Sequence, residues 1–222
     1  NTATYGSPTL ADAIYADCTI VVTDAAGNAN LALAVPSFEI DTLVALVSSI
    51  TTTDANLDGM VDTATIVFTD EVKDSTFSVS NFMIGGVVAT IFTTGTANDN
   101  TVVLSHAGVA GTNAKTVAYT PGSATDLAGN PIVGFSQTST DAAGPVMLSA
   151  ISTSITTIEV TFSEDLNGST VTNADFTVGG NTLTTPDAAE TTSTSGIVVL
   201  NLVTPMGTAD TPLVSLVGTV TD

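Results

Sequence analysis

Short runs of apolar residues recur along the chain about every ten residues, and turn-forming residues separate them. The runs are rich in Val, Ile, Thr and Phe, and many alternate with polar residues, which is typical of β-strands. In the middle of the chain the pattern predicts strands near 43–50, 63–69, 77–84, 87–93, 101–105, 115–120 and 132–137. No window of twelve residues combines a helical period with helix caps, so the sequence predicts an all-β fold.

One stretch of this pattern occurs twice. Residues 66–86 overlay residues 160–180 without a gap, at an offset of 94 residues. The matched pairs include Phe68 with Phe162, Ser75 with Ser169, and Phe82 with Phe176. A period near 100 residues suits a β-sandwich domain used in tandem, and seven strands per unit predict immunoglobulin-like β-sandwich domains.

A second repeated element marks the end of each unit. Asp24-Ala-Ala-Gly-Asn28 matches Asp126-Leu-Ala-Gly-Asn130, and an apolar strand then leads to Asp41 or Asp141. These landmarks divide the chain into residues 1–41, 42–141 and 142–222. The first unit is expected to hold only the last strands of a domain. The middle unit is expected to be complete, and the third to lack its last strand.

The stretch over residues 161–180 and the D-x-A-G-N turns resemble the bacterial Ig-like domains of surface-layer proteins and large secreted adhesins. This resemblance covers nearly the whole chain at the level of the family. It implies spacer, lattice-forming or display modules at the cell surface, often dependent on calcium. The chain departs from the family at its junctions, where the usual Asp-Thr-x-Ala-Pro becomes Asp41-Thr42-Leu43-Val44-Ala45 and Asp141-Ala142-Ala143-Gly144-Pro145.

The charge of the chain limits the classes of partner that it is expected to bind. The sequence holds 22 acidic residues, two lysines (Lys73 and Lys115) and no arginine, for a formal net charge of −20. Nucleic acids and anionic membrane surfaces need clustered basic residues, so neither is expected as a partner. The carboxylates need another counter-charge, which is either solvent salt or bound divalent cations. The longest apolar runs have the length of strands, so no membrane insertion is expected.

Few side chains are suited to catalysis. His106 is the only histidine and Cys18 the only cysteine, so a nucleophile with a partner base is hard to assemble. The pairs Asp70-Glu71 and Glu164-Asp165 follow strands, where adjacent side chains point to opposite faces. We interpret them as exposed turn residues or as ligands at a junction. We expect His106 and Cys18 to be structural, and the chain not to be an enzyme.

The strongest local motif runs from Asp54 to Asp62. It matches the first nine positions of a calcium loop, and its candidate ligands are Asp54, Asn56, Asp58, Met60 through its backbone carbonyl, and Asp62. Gly59 permits the sharp turn that such a loop needs. Position 12 is Thr65 instead of glutamate, so the bidentate ligand must be Asp62 or a neighbouring carboxylate. The alternative is an acidic surface hairpin. If calcium binds, we expect it to stiffen the first junction.

The repeated turns and the junctions provide weaker candidate calcium ligands: Asp24, Asn28, Asp41, Asp126, Asn130 and Asp141. The alternative is that Asp and Asn cap these turns by bonding to their own backbone. Gly27 and Gly129 suit a positive φ, as such a turn requires.

These observations predict an extracellular structural protein that forms or extends a surface array or filament through its tandem domains, stabilised by Ca²⁺. Other copies of the chain are the expected partners. Either the chain is part of a longer protein, or residues 18–38 of one copy donate a strand to the third unit of another. One alternative is an adhesin stalk or ligand-binding module, and another is an accessory region of a secreted hydrolase. Asn167-Gly168-Ser169 is the only Asn-x-Ser/Thr sequon, which suggests a surface turn.

Overall fold

A computed structural model describes residues 9–184, 189–190 and 196–222. Over these residues the chain is all-β, with nineteen strands and four single-turn 3₁₀ helices. This confirms the predicted absence of α-helices within the described residues. No helix there is long and apolar enough to cross a membrane.

Four short strands precede the middle unit: β1 Ala13–Tyr15, β2 Thr19–Ile20, β3 Leu33–Ala34 and β4 Phe38–Ile40. They form two separate antiparallel ribbons, β1 with β4 and β2 with β3. Tyr15 stacks on Phe38 at a ring distance of 5.4 Å. Most other apolar side chains of this region are exposed, including Leu31 at 92 % and Leu33 at 63 %. A two-stranded ribbon of this kind is at best marginally stable alone.

The middle unit contains two sheets. Its strands are β5 Val47–Thr53, β6 Met60–Phe68, β7 Phe82–Ile84, β8 Val87–Val88, β9 Ile91–Thr93, β10 Thr101–Ala110, β11 Thr116–Tyr119, β12 Phe135–Thr138 and β13 Thr140–Asp141. Two 3₁₀ turns, Asp74–Thr76 and Val79–Asn81, precede β7. One sheet has the order β13-β5-β6-β10-β9 and the other β12-β11-β7-β8. The pair β13-β5 is parallel, and the other pairs of these two sheets are antiparallel.

Both sheets of the middle unit bury side chains in one core. Ile66 and Leu104 come from the first sheet, Phe82 and Val117 come from the second, and all four are fully buried. Phe82 also packs against Tyr119 at a ring distance of 4.8 Å. Two sheets that share one apolar core form a β-sandwich, because each sheet buries the apolar positions of its alternating pattern.

Over its described residues, the third unit repeats this plan with fewer strands. They are β14 Met147–Ser154, β15 Thr157–Phe162, β16 Phe176–Val178, β17 Ala189–Glu190, β18 Ile197–Asn201 and β19 Val214–Leu216. Its 3₁₀ turns are Gly168–Thr170 and Asn173–Asp175. The sheets have the orders β14-β15-β18-β17 and β16-β19, and a second apolar cluster lies between them. Phe162 meets Phe176 edge to face at 6.3 Å within that cluster.

The offset seen in the sequence recurs in the structure. The two 3₁₀ turns and the strand after them begin at residues 74, 79 and 82 in the middle unit and at 168, 173 and 176 in the third. Backbone hydrogen bonds match as well: Thr69 N–H donates to the Leu46 carbonyl at 2.7 Å, and Ser163 N–H donates to the Val146 carbonyl at 2.9 Å. The repeated residues therefore occupy equivalent places in the two units.

Several of the predicted strand boundaries were wrong, and the strand predicted at 87–93 is divided into β8 and β9 of different sheets. The predicted strand 77–84 is a 3₁₀ turn followed by a strand of three residues, because Asn81 N–H bonds to the Ser78 carbonyl at 3.1 Å. The strand predicted at 63–69 already begins at Met60. Met60 and Asp62, two of the candidate calcium ligands, therefore lie on β6 instead of in a loop.

Candidate metal centre

Three carboxylates meet where the middle unit joins the third. Among the described residues, Asp141, Glu164 and Asp222 are the one group of three such side chains whose ligand atoms all lie within 4.8 Å of one another. Carboxylate oxygens are the ligands that hard divalent cations prefer. This group, called the junction triad below, can in principle hold a metal ion.

Different parts of the backbone hold the three residues in place. Asp141 ends β13, which pairs in parallel with β5 of the middle unit. Glu164 follows β15 of the third unit. Asp222 follows Thr221, whose carbonyl accepts the Asn167 N–H at 2.8 Å. The triad therefore brings a residue of the connecting strand together with two residues of the third unit.

The middle unit contacts the triad through Thr112. The Thr112 hydroxyl is fully buried and donates to Glu164 Oε1 at 2.7 Å. Thr112 Oγ1 also lies 2.6 Å from Ser163 Oγ. Ser163 Oγ accepts the Val146 N–H at 2.9 Å, so its own proton is free to point at Thr112. These hydrogen bonds join the middle unit directly to the third unit.

Burial changes the acidity of Glu164. Only 8 % of this residue is exposed. Burial raises the pKa of Glu164 to about 7, and the negative charges of Asp141 and Asp222 act in the same direction. The hydrogen bond from Thr112 and the charge of Lys115 oppose this shift. A divalent cation bound by the triad would favour the charged carboxylate, so proton and cation compete for the same group.

Lys115 is the one basic side chain near the triad. It lies on the middle unit between β10 and β11, and it is 9 % exposed. Burial lowers the pKa of its ammonium, while the charges of Asp141 and Glu164 raise it. Its Nζ donates to the Ala110 carbonyl at 3.2 Å and to the Asn113 side chain. One ammonium beside three carboxylates leaves an excess of negative charge, which a divalent cation would balance.

The first junction carries acidic residues at the equivalent places. Asp41 corresponds to Asp141, since each accepts through Oδ1 the N–H two residues further on, at 3.0 Å. The hydrogen bond from the Asn167 N–H to the Thr221 carbonyl, next to Asp222, also has an equivalent at the first junction. There the Lys73 N–H donates to the Thr125 carbonyl at 3.0 Å. The residues that line a cavity of about 630 Å³ here are Glu39, Ile40, Asp41, Asp70, Glu71, Leu127 and Ala128.

The side chains of the candidate calcium loop bond to the backbone of the loop itself. Asp54 Oδ1 accepts the Leu57 N–H at 2.7 Å, and Asp54 Oδ2 accepts the Gly59 N–H at 2.8 Å. In the same way Asn56 Oδ1 accepts from Asp58, Asp58 Oδ1 from Met60, and Asp62 Oδ1 from Ala55. These bonds are those of an acidic turn, and the assignment of calcium to the loop stays a prediction.

The loop lies at the second junction, so an ion bound in it would act there, and the effect of calcium on the first junction stays a prediction. A Cβ at Gly59 would stand 2.5 Å from Leu148 Cδ2 and 3.3 Å from Ser163 Cβ, so the backbone of the loop touches the third unit. Gly59 has a φ of +85°, which the tight turn requires. The sequence could not show this contact, because Leu148 lies 89 positions after Gly59 in the chain.

The two D-x-A-G-N turns have the same internal hydrogen bonds. Asp24 Oδ1 accepts the Asn28 N–H at 2.8 Å, and Asp126 Oδ1 accepts the Asn130 N–H at 2.7 Å. In each turn the asparagine Nδ2 donates to the other aspartate oxygen at 3.0 Å. The bonds proposed in the turn interpretation are thus present. A metal at Asp24, Asn28, Asp126 or Asn130 stays a prediction.

Asn130 also fixes the start of the middle unit. Its Nδ2 donates to the Asp41 carbonyl at 3.2 Å and to the Leu43 carbonyl at 3.0 Å. His106 is buried in β10, where its Nδ1 accepts the Gly108 N–H at 2.9 Å. Burial lowers the pKa of His106, and the charge of Asp62 opposes this. Both residues have contacts suited to a structural role.

Sequence reasoning found part of the triad. It named Asp141 as a ligand and the pair Glu164-Asp165 only as an alternative, and it did not name Asp222. The repeat contained the missing signal, because Glu164 falls on Asp70 at the same offset of 94 residues. Comparison with protein-family models, with curated proteins and with solved structures found no match to this chain.

Proposed function

We propose that the chain is an extracellular structural protein that forms or extends a surface array or filament through tandem immunoglobulin-like domains. The observation that carries this proposal is the repeated β-sandwich plan, joined by a buried polar contact between the units. Fixed angles between tandem domains keep the chain extended and regular, and arrays and stalks need both properties.

The strand order supports immunoglobulin-like topology. In the middle unit β5-β6-β10-β9 corresponds to immunoglobulin strands A-B-E-D, and β12-β11-β7-β8 corresponds to G-F-C-C′. In the third unit β14-β15-β18-β17 and β16-β19 correspond to A-B-E-D and C-F. These correspondences are a matter of connectivity, and the fold alone carries no activity.

Calcium is the proposed ion of the junction triad and of the loop from Asp54 to Asp62. Three converging carboxylates, a net charge of −20 and a single nearby ammonium favour a divalent cation that prefers oxygen. Both places lie at the second junction, so the ion would act mainly on the angle between the two sandwiches.

Other copies of the chain are the proposed partners. The ribbon β2-β3 exposes Ile20, Leu31 and Leu33, whose apolar side chains gain free energy when another surface covers them. Residues 18–38 are the segment that we propose is donated to the third unit of a neighbouring copy. Strand addition of this kind satisfies backbone groups at an exposed sheet edge.

Electron microscopy of the purified chain in millimolar calcium tests the proposal. We expect regular filaments or sheets that disappear when residues 1–38 are deleted, while circular dichroism still shows the β-sheet signal. A matched control removes only residues 1–8 and should still assemble. Monodisperse monomers at high concentration would instead favour an adhesin stalk, for which the locked second junction is equally suited.

A further inference from the structure

Within the described part of the chain, the side chain of Asn167 is hydrogen-bonded through its oxygen and not through its nitrogen. Its Oδ1 accepts the Ser169 N–H at 3.2 Å and the Ser169 hydroxyl at 2.7 Å. Its Nδ2 makes no hydrogen bond to any described residue, whereas Asn130 and Asn181 use theirs to bind backbone carbonyls at 2.7–3.2 Å. Asn167, Gly168 and Ser169 are all exposed. The carbonyl of the side chain is therefore held, and its nitrogen is open to solvent.

The backbone fixes the turn on which Asn167 stands. The residue precedes the 3₁₀ turn Gly168–Thr170, and its own carbonyl accepts the Thr170 N–H at 2.8 Å. Its N–H donates to the Thr221 carbonyl at 2.8 Å, so the turn is tied to the end of the third unit. An exposed turn presents a side chain to a large enzyme more readily than a strand within a sheet does.

We propose that Asn167 is an acceptor site for asparagine-linked glycosylation. It begins the only Asn-x-Ser/Thr sequon of the 222 residues, and the residue is exposed, as a surface modification requires. The inference rests on the extracellular location in the proposed function, but it needs neither assembly nor calcium, so transfer in vitro can fail or succeed independently of filament formation.

The chemistry uses a co-reactant of a defined class, an oligosaccharide linked to a polyprenyl diphosphate. Asn167 Nδ2 forms a bond to the anomeric carbon of the first sugar, while the bond from that carbon to the diphosphate oxygen breaks. The polyprenyl diphosphate leaves, and the amide nitrogen loses one proton. The hydrogen bonds from Ser169 hold the amide in one orientation during this step, which gives the hydroxyl of the sequon a structural role.

Transfer in vitro tests the proposal. The folded chain is incubated with a purified oligosaccharyltransferase and a lipid-linked oligosaccharide, and intact-mass spectrometry and peptide mapping follow the product. We expect one glycan per chain, located at Asn167. Asn167→Gln and Ser169→Ala should abolish the transfer, and Ser169→Thr should retain it. Circular dichroism verifies that each variant is folded.

The repeat provides a matched control. Lys73 occupies the place in the middle unit that Asn167 has in the third, and Ser75 lies two residues after it. Lys73→Asn therefore creates a second sequon on the equivalent 3₁₀ turn, and two glycans per chain are expected. No transfer to the folded wild type, while a reference acceptor peptide in the same tube is modified, would overturn the proposal.

Discussion

Thr112 and Glu164 lie in different β-sandwiches and share a buried hydrogen bond, with the Thr112 hydroxyl 2.7 Å from Glu164 Oε1. Thr112 is fully buried, and Glu164 is 8 % exposed. Neither group can exchange this partner for bulk water while the units remain in contact. The bond therefore links the angle between the units to the local stability of the third unit.

Thr112→Val should weaken the contact between the units. The substitution keeps the shape of the side chain and leaves Glu164 Oε1 buried without its donor, which typically costs about 1–3 kcal/mol. Hydrogen exchange at Val198 and Leu200, both fully buried in the third unit, measures the loss of local stability. The matched control is Thr90→Val, which removes an exposed hydroxyl that bonds to the Ser105 carbonyl at 3.2 Å. Equal protection in both variants would contradict the role of Thr112.

The stability of the chain should fall as pH rises from about 4.5 to about 7. Burial raises the folded-state pKa of Glu164 from 4.5 to about 7, so between these values the folded state binds a proton that the unfolded state has released. The contribution is fully present below pH 4.5 and is lost as pH rises through 7. Denaturation with urea at a series of pH values, in the presence of EGTA, measures the slope.

Glu164→Gln is expected to reduce this slope, because glutamine keeps the shape of the side chain and does not titrate. Glu71→Gln alters an exposed glutamate near the first junction and serves as the control. An unchanged slope in Glu164→Gln would show that other groups cause the pH dependence.

Calcium should stabilise the chain modestly. If the affinity is that of extracellular calcium modules, with a Kd of about 10⁻⁴–10⁻³ M, then about 2 mM calcium adds roughly 0.6–1.8 kcal/mol. Isothermal titration calorimetry measures binding, and small-angle scattering with and without EGTA measures the maximum dimension. We expect chelation to loosen the second junction, because the triad and the loop both lie there.

Two variants separate the two proposed calcium sites. Asp141→Asn should weaken binding at the triad and Asp58→Asn binding at the loop, while Asp165→Asn, which changes an exposed carboxylate, should have little effect. Identical titrations for all three variants would exclude calcium from both sites.

Gly59→Ala should destabilise the second junction more than a positive φ alone explains. Gly129 has a φ of +103° and no atom within 4 Å of an added Cβ, so Gly129→Ala measures the backbone strain, about 1–2 kcal/mol. At Gly59 the new Cβ would also stand 2.5 Å from Leu148 Cδ2. Leu148→Ala in the Gly59→Ala background should restore part of the loss. Chemical denaturation of the wild type, Gly59→Ala, Leu148→Ala and the double variant gives the coupling energy between the two positions. A coupling energy near zero would contradict the contact.

Local patterns gave most of the strands. Alternation located β6, β10 and β11, because a strand with one buried face must place apolar residues at every second position. Alternation did not separate the 3₁₀ turn at Val79–Asn81 from the strand at Phe82–Ile84. That boundary depends on the backbone hydrogen bond from the Asn81 N–H to the Ser78 carbonyl. The candidate calcium ligands from Asp54 to Asp62 were predicted from spacing alone, and spacing does not say where the oxygens point.

The sequence by itself determined the all-β class, the repeat at 94 residues and the acidic character of the junctions, because these depend on side-chain type and spacing. Only the tertiary structure decided which carboxylates meet. Glu164 and Asp222 are 58 residues apart in the sequence, and they reach each other only after the Thr221 backbone pairs with Asn167. The contact of Gly59 with Leu148 likewise depends on the angle between two separately packed cores, which local preferences do not fix.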